Sequence, residues 1–444
     1  MIFTYISHVL LLCIVFSHST AYVESFIPLP RYSVSSILVD SKLYFFGGWG
    51  KNPDESEGCQ NSVFYLDILS SFDTSDNISW IDLTSIAALP VETCWQVSAH
   101  DSQKNSIYIL EGLMVNNSSN QVNVSDTLIY SFDTKIQRWS KPLISGIAPP
   151  RRMELQISQD SSNIYMFGGL SKPLTSSQNI TWFSDMNILD IKNLSWLIVT
   201  SGLDLPPPQA DFTATILNNG MIVYIGGRQV TNTYGSEISY KQMDKVASGT
   251  IPGVRTGHSA VLAMDGRIIV YGGKENEELL SPATPDLAVL DTASTPPFQW
   301  STPKTFNAPP ILAHHSATLI GNVMIIAFGN VTQQTTVAPG PTSKVYLLDI
   351  SNKFNYTWIT SFNTNTLNPT STTDQYADSI TTQPIQPSNN VISSNFALIL
   401  GAAIGCTVSF IIIVVIAVLL LRRWLKYKQS SENKGLADIS VSDN

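Results

Sequence analysis

The sequence predicts an all-β fold, a propeller of six four-stranded sheets set around one axis, on three observations. The first is a hairpin signal in residues 255–273, RTGHSAVLAMDGRIIVYGG, where two short apolar runs of strand-like composition flank Asp265-Gly266 and end in a glycine pair. The second is recurrence. A glycine pair, or a worn form of it, follows an apolar run at Gly47-Gly48, Glu111-Gly112, Gly168-Gly169, Gly226-Gly227, Gly272-Gly273 and Gly329-Asn330. The third is a second anchor downstream: runs ending in Asp67, Asp133, Asp190, Asp291 and Asp349 are each followed by a tryptophan, at Trp80, Trp139, Trp196, Trp300 and Trp358. From Gly112, Gly169 and Gly273 to that tryptophan the interval is 27 residues each time. A period of roughly 50 residues with this content describes a propeller blade rather than a helical solenoid.

Each unit therefore reads as a hairpin closed by the glycine pair, a third strand ending in Asp and a fourth opening with Trp. The glycine pair suits a backbone leaving a crowded strand at positive φ, where a Cβ would clash. Asn330 is the non-glycine residue that best tolerates left-handed geometry, and next to Glu111 the strained position is expected to fall on Gly112. Copy four, residues 209–250, has no Trp and only a blurred third strand at 237–244. These features resemble the kelch repeat, with its Arg-x-x-His-Ser lead, here Arg255 to Ser259, its Gly-Gly turn and its Asp-to-Trp interval. The resemblance covers about residues 26–360 and implies a six-bladed kelch-type β-propeller, similar to the central domain of the galactose oxidases.

The two ends imply a membrane protein. Residues 1–21 carry the apolar core VLLLCIVF followed by small polar residues, the pattern of a secretory signal. Residues 361–395 are expected to be a disordered, Ser/Thr-rich stalk: from 360 to 395, 14 of 36 residues are Ser or Thr. Residues 396–421 run 26 positions without a charge, enough for one transmembrane helix. Arg422, Arg423, Lys426 and Lys428 then place the tail, 422–444, in the cytoplasm, a single-pass type I arrangement that reaches the plasma membrane with the propeller extracellular. Gly401 and Gly405 form a G-x-x-x-G that could support a weak transmembrane dimer. Of the four cysteines, Cys59 and Cys94 alone fall in the exported domain. In an up-and-down blade their two connections emerge on one face, so a disulfide between neighbouring blades is expected. Glycosylation acceptors begin at Asn77, Asn116, Asn117, Asn123, Asn179, Asn193, Asn330 and Asn355, and three of them, Asn77, Asn193 and Asn355, stand three residues before a fourth-strand Trp.

Composition excludes a nucleic-acid surface: Lys+Arg 25 against Asp+Glu 34, 13% charged, with no basic patch. The galactose-oxidase likeness would imply a copper site of two tyrosines and two histidines with a cysteine crosslinked to one tyrosine. After the signal only His100, His258, His314 and His315 remain, His258 and His315 at the repeated His-Ser position of blade packing, and both cysteines are better used as a bridge. No catalytic residue, metal site or cofactor is therefore expected. What remains is surface. The loops between strands two and three and the connections between blades crown one face, and there lie Trp49, Trp95, Arg151, Arg152, Arg228, Arg255 and Lys274, residue types that anchor an extracellular protein or glycan. The competing reading for the arginines is that they brace neighbouring blades. The competing functions are a secretory-pathway copper oxidase and a structural wall component.

Overall fold

The computed structural model describes residues 26–363 and Arg422 and Arg423, apart from the segments 53–54, 77, 117–122, 125–126, 172–179, 200–205, 231–237, 241–246, 276–279, 294–297 and 334–337. The expected signal, the expected transmembrane segment with Gly401 and Gly405, most of the expected stalk and tail, and Asn77, Asn117 and Asn179 lie outside the described residues. No helix among the described residues is long and apolar enough to cross a membrane. The chain divides into two units, Met1–Thr370 and Ser371–Asn444, and all described strands belong to the first.

Among the described residues the fold is all-β and propeller-like, with one helical turn at Thr84–Ala87 in that unit. Six principal sheets start from the inner strands Ser35–Val39, Val97–Asp101, Ile157–Gln159, Thr213–Ile216, Ser259–Leu262 and Ser316–Ile320. In the first sheet the order is Ser35–Val39, Lys42–Phe46, Val63–Asp67, Trp80–Asp82, antiparallel throughout. The second and third sheets repeat it. The fifth and sixth add an outermost parallel strand, Ala247–Gly249 beside Phe298–Ser301 and Lys304–Phe306 beside Asn355–Ile359. Copy four departs from expectation. Its segment Ile238–Tyr240 is a strand, but it pairs with Arg228–Val230 on the loop face instead of extending the hairpin Thr213–Ile216 and Ile222–Ile225.

The second strand of each sheet is apolar on both sides because both sides are covered. In Lys42–Phe46, Tyr44 and Phe46 pack toward the second sheet, and Leu43 and Phe45 pack toward the sixth. Each boundary between consecutive sheets has its own apolar core, the sixth-to-first boundary included. Each large side chain buried there contributes about 1.5–3 kcal/mol. The third-strand aspartates act locally. Asp190 Oδ1 accepts from the N–H groups of Lys192 and Asn193, both at 2.9 Å, and Asp349 Oδ1 from Ser351 at 2.8 Å, so each folds its own turn into the fourth strand. Trp80, Trp196, Trp300 and Trp358 then turn back into the cores.

The glycine turns join the sheets to one another. Gly48 N–H donates to the carbonyl of Thr93 (2.9 Å), Gly112 to Arg152 (2.8 Å), Gly169 to Gln209 (2.8 Å), Gly227 to Arg255 (2.9 Å), Gly273 to Leu312 (2.8 Å) and Gly329 to Arg31 (2.8 Å). Each acceptor stands four residues before the inner strand, or its aligned position, in the next copy, and the last bond returns from the sixth sheet to the first. At Gly47, with φ +58°, a Cβ would lie 2.4 Å from the Thr93 oxygen, which is why the approach requires glycine.

Two worn copies differ from expectation. In copy six the left-handed pair is Phe328 (φ +61°) and Gly329 (φ +95°), one residue earlier than Gly329-Asn330, and Asn330 is half-buried in the strand Asn330–Val331. Phe328 is held there by packing against Phe45, Phe64 and Trp80, with ring centroids 5.4, 5.7 and 5.8 Å away. In copy two Glu111 is itself left-handed, φ +58°, beside Gly112 at +73°. Its buried carboxylate accepts from the Arg152 backbone N–H at 3.0 Å and so caps the next sheet. Burial pushes the Glu111 carboxyl up to about 7 against the pull of that N–H and of the Arg152 and Arg151 charges.

The propeller ends later than residue 360. Ser361–Phe362 pairs with Phe72–Asp73, Phe362 stacks on Phe72 at 5.2 Å, and Ser361 Oγ donates to Asp73 at 2.5 Å. That hydrogen bond, then those from Ser75, hold the Asp73 carboxyl down at about 2.

Gly47→Ala is expected to destabilise the propeller by about 2–5 kcal/mol through clash and strain. Gly220→Ala, at φ +83° with nothing within 4 Å, should cost only about 1–2 kcal/mol. Thermal melting of the two variants checks the contrast. Because the folded-state value of Glu111 is raised, its neutral form favours folding at low pH, and that contribution is lost as pH rises toward 7. Glu111→Gln should therefore match the parent near pH 4 and exceed it by roughly 3 kcal/mol at pH 8, read from paired urea titrations.

Candidate functional site

The residues that accept the inter-sheet bonds also set the channel mouth. Two positions after each of them the backbone is left-handed again: Ser33 (+52°), Trp95 (+54°), Glu154 (+56°), Asp211 (+56°), Gly257 (+62°) and His314 (+52°). Their main chains link around the axis. Ser33 N–H donates to His314 (2.8 Å), His314 to Gly257 (2.6 Å), Gly257 to Asp211 (3.3 Å), Asp211 to Glu154 (2.8 Å) and Trp95 to Ser33 (3.2 Å). This constriction lies above a cavity of about 210 Å³ bordered by Ser36, Ser98, Thr213, Ser259 and Ser316 of the inner strands. On its outer side a mouth of about 70 Å³ is lined by Trp95, Gln96, Glu154, Asp211 and His314, among others.

Opposite charges are fixed at the mouth. The Arg228 guanidinium donates to Asp211 Oδ2 at 2.8 Å, pairs with Glu154, and lies 5.3 Å from the centre of the Trp182 ring. His314 Nδ1 stands 3.9 Å from Asp211 Oδ1. Burial works to raise the Asp211 carboxyl, but Arg228, His314 and Lys274 outweigh it and hold the group below the usual carboxylate range. Beside this network the rings of Trp95 and Trp49 are 5.7 Å apart, Trp95 and Tyr32 6.0 Å, and Tyr32 and His314 6.2 Å. Cys59 and Cys94 are bonded, with Cα atoms 5.1 Å apart. Trp49 is the cross-strand partner of Cys59, and Trp95 follows Cys94.

Of the seven residues predicted for the binding face, Trp95 lines the mouth, Trp49 packs against Trp95, and Arg228 bonds the lining carboxylates Asp211 and Glu154. Arg151 is half-buried and donates to the carbonyls of Gly112 (3.1 Å) and Thr127 (2.6 Å). Arg152, Arg255 and Lys274 do not belong to the surface: they are 1%, 0% and 5% exposed. Arg152 donates to Gly168 O at 3.1 Å and grips Asp185 with both terminal nitrogens, at 2.8 and 3.1 Å. Arg255 does the same for its own glycine turn, at Gly272 O (3.1 Å), and also reaches Pro285 O (2.7 Å); burial brings its guanidinium down to about 10 against Asp286 and Glu275. Arg31 occupies the same position and donates to Gly47 O at 3.0 Å. The arginine at this place in the repeat is a brace: it donates to the carbonyl of its own glycine turn.

His258 and His315 are buried and bond the preceding sheet, to Thr213 Oγ1 (3.1 Å) and Ser259 Oγ (2.7 Å). Burial lowers both, His315 to about 3, so both rings stay neutral. Among the described residues no cluster of three or more His, Cys, Asp and Glu side chains is placed to hold a metal ion. Of the glycosylation candidates, Asn116, Asn193 and Asn355 are exposed, Asn193 in the turn closed by Asp190. Sequence reasoning missed Glu154, Asp211, His314, Tyr32 and Trp182. The offset of two residues from the inter-sheet acceptor, constant in all six copies, would have aligned the first three.

A family profile of the Attractin/LZTR1 β-propeller matches residues 107–383, more than half of the chain. The chain belongs to that family. Its propeller is of the kelch type, as its relatives indicate. It is 28% identical over 268 residues to a putative adagio-like protein 2 of Oryza sativa subsp. japonica, covering 55% of this chain and 38% of that one. It is 23% identical over 261 residues to Kelch domain-containing protein 3 of Bos taurus, covering 55% of this chain and 64% of that one. It is 23% identical over 234 residues to host cell factor 1 of Rattus norvegicus, covering 49% and 11%. The chain thus spans less than two thirds of each of these relatives.

Arg228→Met is expected to remove the guanidinium that pairs Asp211 with Glu154, leaving Asp211 to Lys274 and His314, and to cost about 3 kcal/mol at neutral pH. Asp211 is depressed in the folded state, so the stability it contributes is present above its unfolded value and lost as pH falls through the folded one. The deficit of the variant should accordingly shrink below pH 4, as urea midpoints at pH 7 and pH 3.5 would show.

Proposed function

We propose that this chain is a membrane-anchored binding module, a six-bladed propeller held outside the bilayer that recognises an extracellular protein or glycan through its channel mouth. The observation that carries this reading is the mouth itself. Trp49, Trp95 and Tyr32 stand together beside charges already fixed by Arg228, and half-buried aromatics next to ordered polar groups are the surface types that supply binding energy. The blade number is supported by the series of glycine-turn bonds that returns from Gly329 to Arg31. His258 and His315, at the repeated His-Ser position, are engaged in packing between sheets, as suits a binding module.

The anchored, outward-facing arrangement rests on the signal-like residues 1–21, the apolar run 396–421 and the basic residues after it. The Cys59–Cys94 bond suits an oxidising compartment. Exposed Asn116, Asn193 and Asn355 are available to carry glycans. Gly401 and Gly405 would serve a weak dimer of the span.

Full-length protein displayed on cells is expected to capture a ligand from an extracellular protein and glycan library. The Trp49→Ala, Trp95→Ala double variant should weaken that capture at least tenfold while leaving surface display unchanged; equal capture would refute the mouth. An endoglycosidase should increase the mobility of the full-length protein, and an unshifted band would count against the secreted topology.

A further inference from the structure

The mouth has features that narrow its ligand further. Tyr32 and Trp49 are cross-strand partners, Trp49 pairs with Cys59, and the disulfide ties Cys59 to the residue before Trp95, so three half-buried rings are held in one frame. Rings fixed beforehand lose little freedom when something stacks on them. Beside them, Gln96 is only 4% exposed and lines the mouth. Its Nε2 donates to Phe46 O at 2.5 Å and Ser35 Oγ at 3.3 Å, while its buried Oε1 has no hydrogen-bond partner among the described residues. A buried acceptor of this kind calls for a donor, an N–H or O–H. Fixed charge does not select for an ion, because the carboxylates Glu154 and Asp211 are balanced by Arg228 and Lys274. The mouth is lined by Trp95 together with Gln96, Glu154, Asp211 and His314, polar groups suited to pairing with hydroxyls.

We propose that the mouth binds a neutral hexose at the end of a glycan, its apolar ring face against Trp95 and Trp49 and one hydroxyl donating to Gln96 Oε1. This rests on the mouth being the binding surface, and it adds the chemistry of the ligand. The sugar's several hydroxyls both donate and accept, which suits a site that already presents both kinds of group, and its C–H face suits the rings.

The test uses full-length protein in lipid nanodiscs free of sugar-based detergent, titrated with methyl α-D-mannopyranoside, methyl β-D-galactopyranoside and methyl β-D-glucopyranoside. Binding is followed by tryptophan fluorescence and saturation-transfer NMR. At least one glycoside should bind, at least tenfold more tightly than N-acetylneuraminic acid or glucosamine, and at least tenfold more weakly to Trp49→Ala and to Gln96→Met. Should Trp49→Ala unfold, Gln96→Met decides the same question. A hexoside that binds both variants as it binds the parent overturns the proposal, as does equal affinity for the charged sugars. If no hexoside binds but the mouth variants still abolish capture of a protein ligand, the sugar reading fails and the binding surface stands. If no hexoside binds and captured ligand is indifferent to the mouth variants, both fail.

Discussion

A single backbone hydrogen bond, from the second residue of each left-handed turn to a carbonyl ahead of the next inner strand, sets the spacing of the whole disc. Its net strength is ordinary, about 1 kcal/mol, and the apolar cores between sheets supply far more. Apolar contact, however, does not choose a register. The bond does, because leaving a buried N–H unpaired costs about 1–3 kcal/mol and no neighbouring register offers the same partner. The close approach it demands excludes a Cβ where Gly47 meets Thr93. It also brings the chain into the next sheet at a place from which it must turn again within two residues, and that second turn forms the mouth.

The two kinds of arginine in the repeat follow from this geometry. One that stands at the accepting position, as Arg31, Arg152 and Arg255 do, faces the carbonyl of its own glycine turn and is consumed there. One that stands after the turn, as Arg228 does, reaches outward between Glu154 and Asp211. The same side chain is a brace or a lining group according to which side of the glycine turn it occupies. Lys274, one residue past its own turn and buried, lends its charge to Asp211 as well.

Much of the fold was legible in the sequence because it depends on residue type. Asp67 to Asp349 close turns with their own side chains, and the tryptophans that follow fill cores, so both leave a spaced signature. The misplacements occurred where conformation is imposed by surroundings. Phe328 is left-handed because an aromatic cluster holds it, and Glu111 because its carboxylate caps a neighbour, and neither residue type announces such a φ. The mouth was half visible. Trp49, Trp95 and Arg228 carry a chemical signal, whereas Ser33, Glu154, Asp211, Gly257 and His314 share a backbone position and no chemistry, so composition cannot group them. Copy four, the one without the tryptophan, also departs: the described part of its third segment, Ile238–Tyr240, pairs with Arg228–Val230.

The pairing of Ser361–Phe362 with Phe72–Asp73 gives the disc a mechanical order of failure. Tension arriving along the chain beyond Asn363 meets a two-residue ladder, the Phe72–Phe362 stack and the Asp73 hydroxyl contacts before any four-stranded sheet is loaded. Phe26, at the opposite end of the propeller, packs into the same core as Phe362. Force drawn through either terminus therefore converges on one seam, and the disc would part there first, like a ring opened at its clasp, with the remaining sheet boundaries still shut.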